Sequence, residues 1–295
     1  MRKTMASQAV GLIIVGACSS VVTALPAMGP PKALVGQEQW SIGLGYSYSQ
    51  MDLEASGKSR ESVGDDPPGS RIPNWAPWQP SKHDVKDLTS NIVLGQLGYG
   101  VSQNVDVFLY LGVSDAQDDM KETVASGATA GEYSGLDGGL GFAWGLGARA
   151  TFLEDGDLTW GGLIQVLWEN PSDGDVSFSS SGDPFFANPL TGDAEFNLRE
   201  IQVAVGPTWQ LEKFCVYGGP FLHFVEGDVE ISVSGIDSFD ALNNVELSED
   251  IREASEFGVY AGLQGEASES TSWYAEYRMT GDAWGIGVGA VRRFK

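Results

Sequence analysis

The sequence is poor in cysteine, histidine and basic residues. It has two cysteines, Cys18 and Cys215, and two histidines, His83 and His223, among 295 residues. Because transition-metal sites are built from clustered Cys and His ligands, we expect no such site and no resident cofactor. The 17 basic residues face 40 acidic ones, for a net charge of −23. Such an acidic chain repels phosphate backbones, so we expect no nucleic acid partner.

Beyond its amino terminus, the chain also lacks a long uncharged apolar run. Residues 9–22 are uncharged and follow Arg2 and Lys3, which is the pattern of a secretory signal too short to cross a bilayer as a helix. We predict cleavage after Ala24, so that residues 1–24 form the signal peptide. The alternative is a lipoprotein box at 15–18, which would acylate Cys18. After cleavage at Ala24 only Cys215 remains, and no internal disulfide can form.

Large apolar residues instead recur at every second position. From 136 to 152 one set includes Leu140, Phe142 and Trp144, and the alternate set is small or polar throughout. After a turn at 154–157 the pattern repeats as far as Trp168. A strand places two such sets on opposite faces. One apolar face that ends in aromatics, opposite a polar face, is typical of a transmembrane β-hairpin.

The same alternation predicts about ten strands within residues 38–295, after a flexible, Pro-rich leader at 25–37. The connections alternate between long and short, with long loops expected near 52–86, 114–134, 170–194 and 226–252. This pattern predicts an all-β fold, a transmembrane antiparallel up-and-down β-barrel with long extracellular loops and short periplasmic turns. Its partner would be outer-membrane lipid, and we expect a monomer. A soluble all-β sandwich is the alternative.

Two stretches carry a family resemblance. Residues 97–105 read Leu-Gly-Tyr-Gly-Val-Ser-Gln-Asn-Val, a strand-turn-strand phrase, and the last strand ends near Phe294. In these features the mature chain resembles outer-membrane β-barrels of the broad OmpA-like superfamily. The family's assembly signal usually has its aromatic at the very end, whereas Lys295 follows Phe294 here. The resemblance implies a fold and an outer-membrane location, and no activity.

The polar residues of the inward face are the first candidate site, because charges there must pair or stay hydrated. One interpretation is a packed polar network. The other is a narrow, water-filled path that prefers cations, since about ten strands lie just above the size whose interior side chains fill, and many inward glycines leave space. The predicted lumen residues are Arg149, Gln165, Glu200, Gln202, Glu256, Tyr260, Glu266, Tyr274, Glu276 and Arg278.

The loop surface is the second candidate site. Trp75 and Trp78 are suited either to stack on a sugar or peptide, or to fold down as a lid over the barrel mouth. Carboxylates in the last long loop would attract divalent cations or a basic partner, or form a solvated face. The acidic loop residues are Asp237, Asp240, Glu246, Glu249 and Asp250.

Proteolysis at the barrel rim is the third possibility. Omptin proteases are also ten-stranded outer-membrane barrels, and they use paired acids with an Asp/His pair to activate water. Here His83 lies beside Asp84 in a loop, and His223 lies within a strand. Neither has the acid-x-His arrangement of that family. We therefore expect a non-enzymatic barrel with a structural or adhesin-like surface role, with a narrow porin-like channel as the alternative and a rim protease as a weaker one.

Overall fold

The computed structural model describes residues 26–62, 75–117, 123–126, 129–133, 140–170, 174–179, 190–236, 242–253 and 256–294. Its strands are β1 (Trp40–Ser62), β2 (Gln79–Ser102), β3 (Val105–Gln117), β4 (Thr123–Ser126), β5 (Thr129–Tyr133), β6 (Gly141–Asp155), β7 (Leu158–Asn170), β8 (Gly174–Ser179), β9 (Leu190–Gln210), β10 (Phe214–Ile236), β11 (Leu242–Glu253), β12 (Phe257–Ser268), β13 (Thr271–Met279) and β14 (Ala283–Phe294). Within the described ranges, no helix is long and apolar enough to cross a bilayer. The predicted signal peptide and Cys18 lie outside these residues.

Ten of the strands close into an antiparallel ring, in the order β1-β2-β3-β6-β7-β9-β10-β12-β13-β14. The ring closes where Trp40, the first residue of β1, pairs with Phe294, the last residue of β14. Each of these strands therefore pairs with a neighbour on both sides, which is the condition for placing a sheet in lipid. The predicted ten-stranded antiparallel barrel is confirmed.

The outer surface of the ring is a broad apolar band. Leu44 is 63% exposed, and Ile42, Leu146 and Ile286 are also exposed, although each belongs to the apolar set of its strand. Aromatic pairs lie at both ends of the band, with Trp40 against Tyr99 at 4.8 Å and Trp144 stacked on Trp168 at 4.4 Å. A soluble sandwich would cover such a face with a second layer, whereas a transmembrane barrel presents it to lipid.

Loop lengths orient the barrel in the membrane. The tight connections 103–104, 156–157, 211–213 and 269–270 all lie at the end that holds the first residue of β1 and the last of β14. One of them turns at Gly156, whose φ of +59° suits a residue without a side chain. The long connections lie at the opposite end, together with the short link 280–282. By the general rule for such barrels, the short turns are periplasmic and the long connections extracellular.

Several strands continue beyond the apolar band into a second tier, which we call the collar. It comprises residues 53–62 of β1, 79–88 of β2, 190–199 of β9, 226–236 of β10 and all of β11. The β11 strand pairs with β1 from Leu53↔Glu253 to Ser62↔Asn244, and with β10 on its other side. On the outward face of β10, apolar Leu222 gives way to polar Glu226, which marks the edge of the band.

The collar corrects two of the predicted loops. Of the residues that the structure describes in 52–86 and 226–252, most are strand, although we expected a long loop in each segment. In 51–55 the inward residues Met51, Leu53 and Ala55 do alternate with polar ones, but the run is short. Its partner β11 is about 190 positions away in the chain, so no local pattern indicates the pairing.

Candidate functional site

The lumen of the barrel is occupied by the chain's own amino-terminal segment. Residues 26–31 are all buried, and Met28 and Val35 lie at 0% and 5% exposure. The segment enters from the periplasmic end, where the N–H of Glu38 donates to the carbonyl of Gly100 at 2.8 Å. It has no helix or strand, as expected, but the prediction of a flexible leader is wrong for residues 26–35. We call these ten residues the plug.

Charged side chains of the barrel wall hold the plug by its backbone. The carboxylate of Glu276 accepts the N–H groups of Met28 at 3.0 Å and Gly29 at 2.9 Å. From the opposite wall, Arg149 donates to the carbonyl oxygen of Met28 at 3.0 Å. Hydrogen bonds to ionised groups are stronger than neutral ones, and they satisfy backbone groups that the plug cannot pair within itself.

A second carboxylate holds the plug nearer the periplasm. Asp106, on β3, accepts the N–H of Leu34 at 2.6 Å and that of Val35 at 3.0 Å. The hydroxyl of Thr151 accepts the N–H of Ala33 at 3.1 Å. Asp106 was not among the predicted lumen residues, although it lies on the polar face of its strand. Its place in the inward set of β3, with Phe108 and Tyr110, is the sequence signal that would have identified it.

Glycines of the inner wall make room for the plug. A side-chain carbon built on Gly161 would overlap the carbonyl oxygen of Pro31, and one on Gly100 would overlap that of Gly36. A side-chain carbon on Gly287 would lie 2.6 Å from the Cβ of Ala27. These inward glycines were expected to leave open space for a pore. The structure shows that at these positions the amino-terminal segment fills the space instead, a close approach that only glycine allows.

Most of the predicted inward residues form a buried layer beside the plug and toward the outer end. The hydroxyl of Tyr110 donates to Gln165 at 3.3 Å, and Gln165 donates to Gln202 at 2.8 Å. Arg278 donates to Glu276 at 3.1 Å. The residues that the structure buries in the lumen as predicted are Arg149, Gln165, Glu200, Gln202, Tyr260, Tyr274, Glu276 and Arg278.

Two predicted lumen residues lie elsewhere. Glu256 is exposed just before β12 begins, and only its carbonyl oxygen faces the wall, where it accepts the N–H of His223 at 2.8 Å. Glu266 is exposed at the periplasmic rim, next to a register shift between Glu266 and Ser268. In both cases the alternation was extended to the end of a strand, where water is available and nothing requires burial.

A buried histidine–carboxylate group, which the sequence did not predict, lies at the outer end of the lumen. His223 Nε2 is 3.2 Å from Glu200, and its Nδ1 is 2.5 Å from Glu253 of β11. Thr280 donates to the other oxygen of Glu253 at 2.8 Å. His223 shares its parity with Val225, Val229 and Ile231, so counting back from those apolar residues would have placed it inside. Gly218-Gly219-Pro220 interrupts the alternation only when it is counted forward from the start of the strand.

An apolar core fills the inside of the collar. Its buried side chains come from all five collar strands and include Leu53, Leu88, Leu198, Val229 and Leu247, each at 4% exposure or less. Above the histidine group the interior is therefore largely apolar, with the buried carboxylate of Glu249 between Leu247 and Ile251. The lumen is occupied in its periplasmic half by the plug and at its outer end by this core.

Two cavities lie beside the plug. One next to Ala27 has a volume of about 10 Å³, and its walls include Gln96, Tyr110 and Tyr274. That is room for about one water molecule. Another, of about 280 Å³, opens at the periplasmic mouth beside Lys32, Cys215 and Arg293. Neither provides a path along the barrel axis.

The loop residues are spread over the collar rather than gathered at the mouth. Trp75 and Trp78 stack with Arg60 on the outward face, which corrects the alternative of a lid over the mouth. Glu246 pairs with Arg60, Glu249 is buried, and Asp250 is exposed. Asp237 and Asp240 lie outside the described residues. In the ranges that the structure describes, no three His, Cys, Asp or Glu side chains are grouped to hold a metal ion.

Comparisons with known proteins return only distant likenesses. No family model matches the chain, and no curated protein sequence matches it. Among solved structures it is similar to the outer membrane protease OmpT from Escherichia coli, at 10% identity and a TM-score of 0.42, covering 91% of this chain and 98% of that one. It is also similar to the toluene transporter TbuX of Ralstonia pickettii, at 11% identity, a TM-score of 0.36 and coverage of 88% and 90%.

A third likeness is to Ail, the attachment invasion locus protein of Yersinia pestis, at 14% identity, a TM-score of 0.28 and coverage of 88% and 99%. These similarities transfer no activity. The closed ring, the outward apolar band and the inward polar residues themselves define a bacterial outer-membrane β-barrel protein, and the outer membrane is its location.

Proposed function

We propose that the protein is a non-enzymatic, sealed outer-membrane barrel whose role is structural or adhesin-like and is carried out at the cell surface by the collar. The observation that carries the proposal is the filled lumen. The plug is held by Glu276, Arg149 and Asp106, and the apolar core blocks the other end. A barrel closed at two levels serves as an anchor for what stands above the membrane.

A passive cation channel would require both obstructions to move. Displacing the plug would leave Glu276, Arg149 and Asp106 without the backbone groups they bind, and displacing the collar core would expose its apolar side chains to water. The inward acids that favoured a cation path are instead used in contacts within the lumen. The geometry therefore supports the packed-network interpretation over the channel.

A rim protease is also poorly supported. His223 and its two carboxylate partners have side chains at 0–1% exposure. A general base must reach the water or group that it activates. The side chain of His83 is not described, and its backbone pairs with Ala55 in the collar sheet.

The outward face of the β10–β11 hairpin supports binding of a basic partner. Asp228, Glu230 and Asp250 are exposed there, at the height of the collar. In a chain with a net charge of −23 these carboxylates attract basic groups or divalent cations. We therefore assign the binding of a basic partner to the outward face of this hairpin.

Conductance across a planar bilayer tests the proposal. The mature protein, purified from membranes and shown to be folded and inserted, is expected to give no steady channel current. Stable cation-selective steps that change in the variants Glu200→Gln or Glu276→Gln would overturn the sealed barrel in favour of the channel. We expect no channel current from the wild type or from either variant.

A further inference from the structure

A patch of aromatic and basic side chains stands on the outward face of the collar. Lys58 and Arg60 lie on the face of β1 that carries Ile42 and Leu44 lower down, so their side chains point away from the barrel axis. Arg60 lies 4.4 Å from the ring centre of Trp75 and 4.6 Å from that of Trp78, and Lys58 lies 5.0 Å from that of Trp78. We call these four residues the stacked patch.

The stacked patch is held by several contacts but remains open to solvent. Arg60 is anchored by Glu246 of β11, with 2.6 Å between its Nε and the carboxylate, and Trp75 forms a backbone bridge with Ser62. Cation–π contacts hold the two indoles in place. Trp78 is nevertheless 38% exposed and Lys58 is exposed. A fixed, exposed aromatic ring beside a cation is a ready-made contact surface, because binding need not order it first.

The position of the patch indicates its partner. Arg60 lies ten residues beyond Gln50, where the apolar band ends, which places it on the order of 25 Å above the band for a tilted strand. At that height an outward side chain faces sideways along the membrane, toward whatever stands on the surrounding lipid. In an outer membrane that is the saccharide of the outer-leaflet glycolipid.

Charge indicates the chemistry of that saccharide. Basic residues are scarce in this chain, 17 against 40 acids, yet two of them share this patch with two tryptophans. The aromatic faces suit the apolar side of a sugar ring, and the exposed ammonium of Lys58 suits a phosphate or carboxylate. Of the outward carboxylates on the neighbouring β11, Glu246 is paired with Arg60, and Asp250 lies opposite Ser56, two positions along β1 from Lys58.

We propose that the stacked patch binds an anionic saccharide of the outer-leaflet glycolipid, with Trp78 stacking on a sugar ring and Lys58 pairing with its phosphate. This proposal rests on the proposed surface role in one respect, because it requires the collar to lie outside the cell. It does not require a closed lumen. A conducting barrel would overturn the sealed anchor and leave this site standing.

Calorimetric titration of the folded, full-length protein in detergent tests the site. The probe is the phosphorylated core oligosaccharide freed of its acyl chains, compared with the same oligosaccharide after removal of phosphate. Saturable binding of the phosphorylated form is expected, with Trp78→Ala and Lys58→Gln each weakening it about five- to tenfold, as loss of one stacking or cation contact implies. The dephosphorylated form should bind more weakly to wild type and equally to wild type and Lys58→Gln.

Matched controls come from the opposite end of the barrel. Trp209→Ala and Lys213→Gln remove an exposed residue of the same type from the periplasmic side and should leave binding unchanged. Trp78→Phe keeps an aromatic ring and Lys58→Arg keeps a cation, so both should retain most of the affinity. Their binding would show that the losses in Trp78→Ala and Lys58→Gln do not come from misfolding. Absence of saturable binding, equal binding by Trp78→Ala and wild type, or indifference to phosphate would each overturn the proposal.

Discussion

The carboxylate of Glu276, on the thirteenth strand, accepts the backbone N–H of Met28, 248 positions earlier in the chain, at 3.0 Å. The same carboxylate accepts a hydrogen bond from Arg278. One buried acid thus joins the plug to the wall and neutralises a buried cation. This contact holds the plug in the lumen, and it makes the plug part of the fold.

Replacing this acid should destabilise the barrel. In Glu276→Gln the amide keeps the volume but loses the charge that offsets Arg278, and it cannot accept all three hydrogen bonds. Breaking a buried ion pair while leaving one charge in place costs about 3 kcal/mol or more. Urea unfolding in lipid vesicles should show that loss. Glu154→Gln, at an exposed position on β6, should change nothing. Equal stability of the two variants would show that Glu276 does not hold the plug.

Two neighbouring glycines, Gly161 and Gly162, distinguish the effect of contact with the plug from the effect of placing any side chain in this strand. Gly161→Ala places a methyl group against the carbonyl of Pro31, whereas at Gly162 the nearest atom to a new methyl lies 3.4 Å away. We expect Gly161→Ala to lose about 1–3 kcal/mol of unfolding free energy by overpacking, and Gly162→Ala to be near neutral. The same urea titration reports both. Similar values for the two would contradict the plug's position.

His223 should tie the collar to the barrel. His223→Leu leaves Glu200 and Glu253 facing each other without the imidazole that both contact. Such a buried, unpaired charge costs about 3–5 kcal/mol, and part of the loss should appear as local opening of β11. Trypsin should then cut faster after the exposed Arg252 than in wild type. Glu230→Gln, exposed on the same strand as His223, is the control. An unchanged cutting rate in His223→Leu would show that the histidine group does not secure β11.

The apolar band can be located by arginine substitution. Leu44→Arg puts a charge near the middle of the band and should cost about 2–4 kcal/mol in a bilayer. Ser56→Arg, on the same outward face but within the collar, should cost almost nothing, because that position stands in water. Unfolding titrations in vesicles measure both. A similar penalty at the two positions would mean that the band and the collar were assigned wrongly.

Much of the ring was predictable from the sequence. Alternation such as Phe142, Trp144 and Leu146 against small residues identifies a lipid-facing strand, because lipid requires a nearly unbroken apolar face. The inward residues follow from the same count. Glu200, Gln202 and Glu276 were placed correctly for this reason, and the count failed at Glu256 and Glu266, where the strand ends and burial is no longer required.

The plug and the collar could not be read from local patterns. The segment 26–35 has no period because it pairs with side chains of the wall and not with a neighbouring strand. An inward glycine such as Gly161 has the same appearance in sequence whether it faces water or backbone. The collar depends on β11 pairing with β1 across most of the chain. Long-range pairing of this kind is determined by the closed shape of the barrel.

Hydrogen exchange at the plug tests the central claim most directly. Met28, Gly29, Leu34 and Val35 donate their N–H groups to wall carboxylates inside the lumen. In the folded protein, mass spectrometry of peptides from this segment should show exchange as slow as that of the wall strands β13 and β14. A segment that exchanges within seconds, while the wall stays protected, would contradict the plug and with it the sealed barrel.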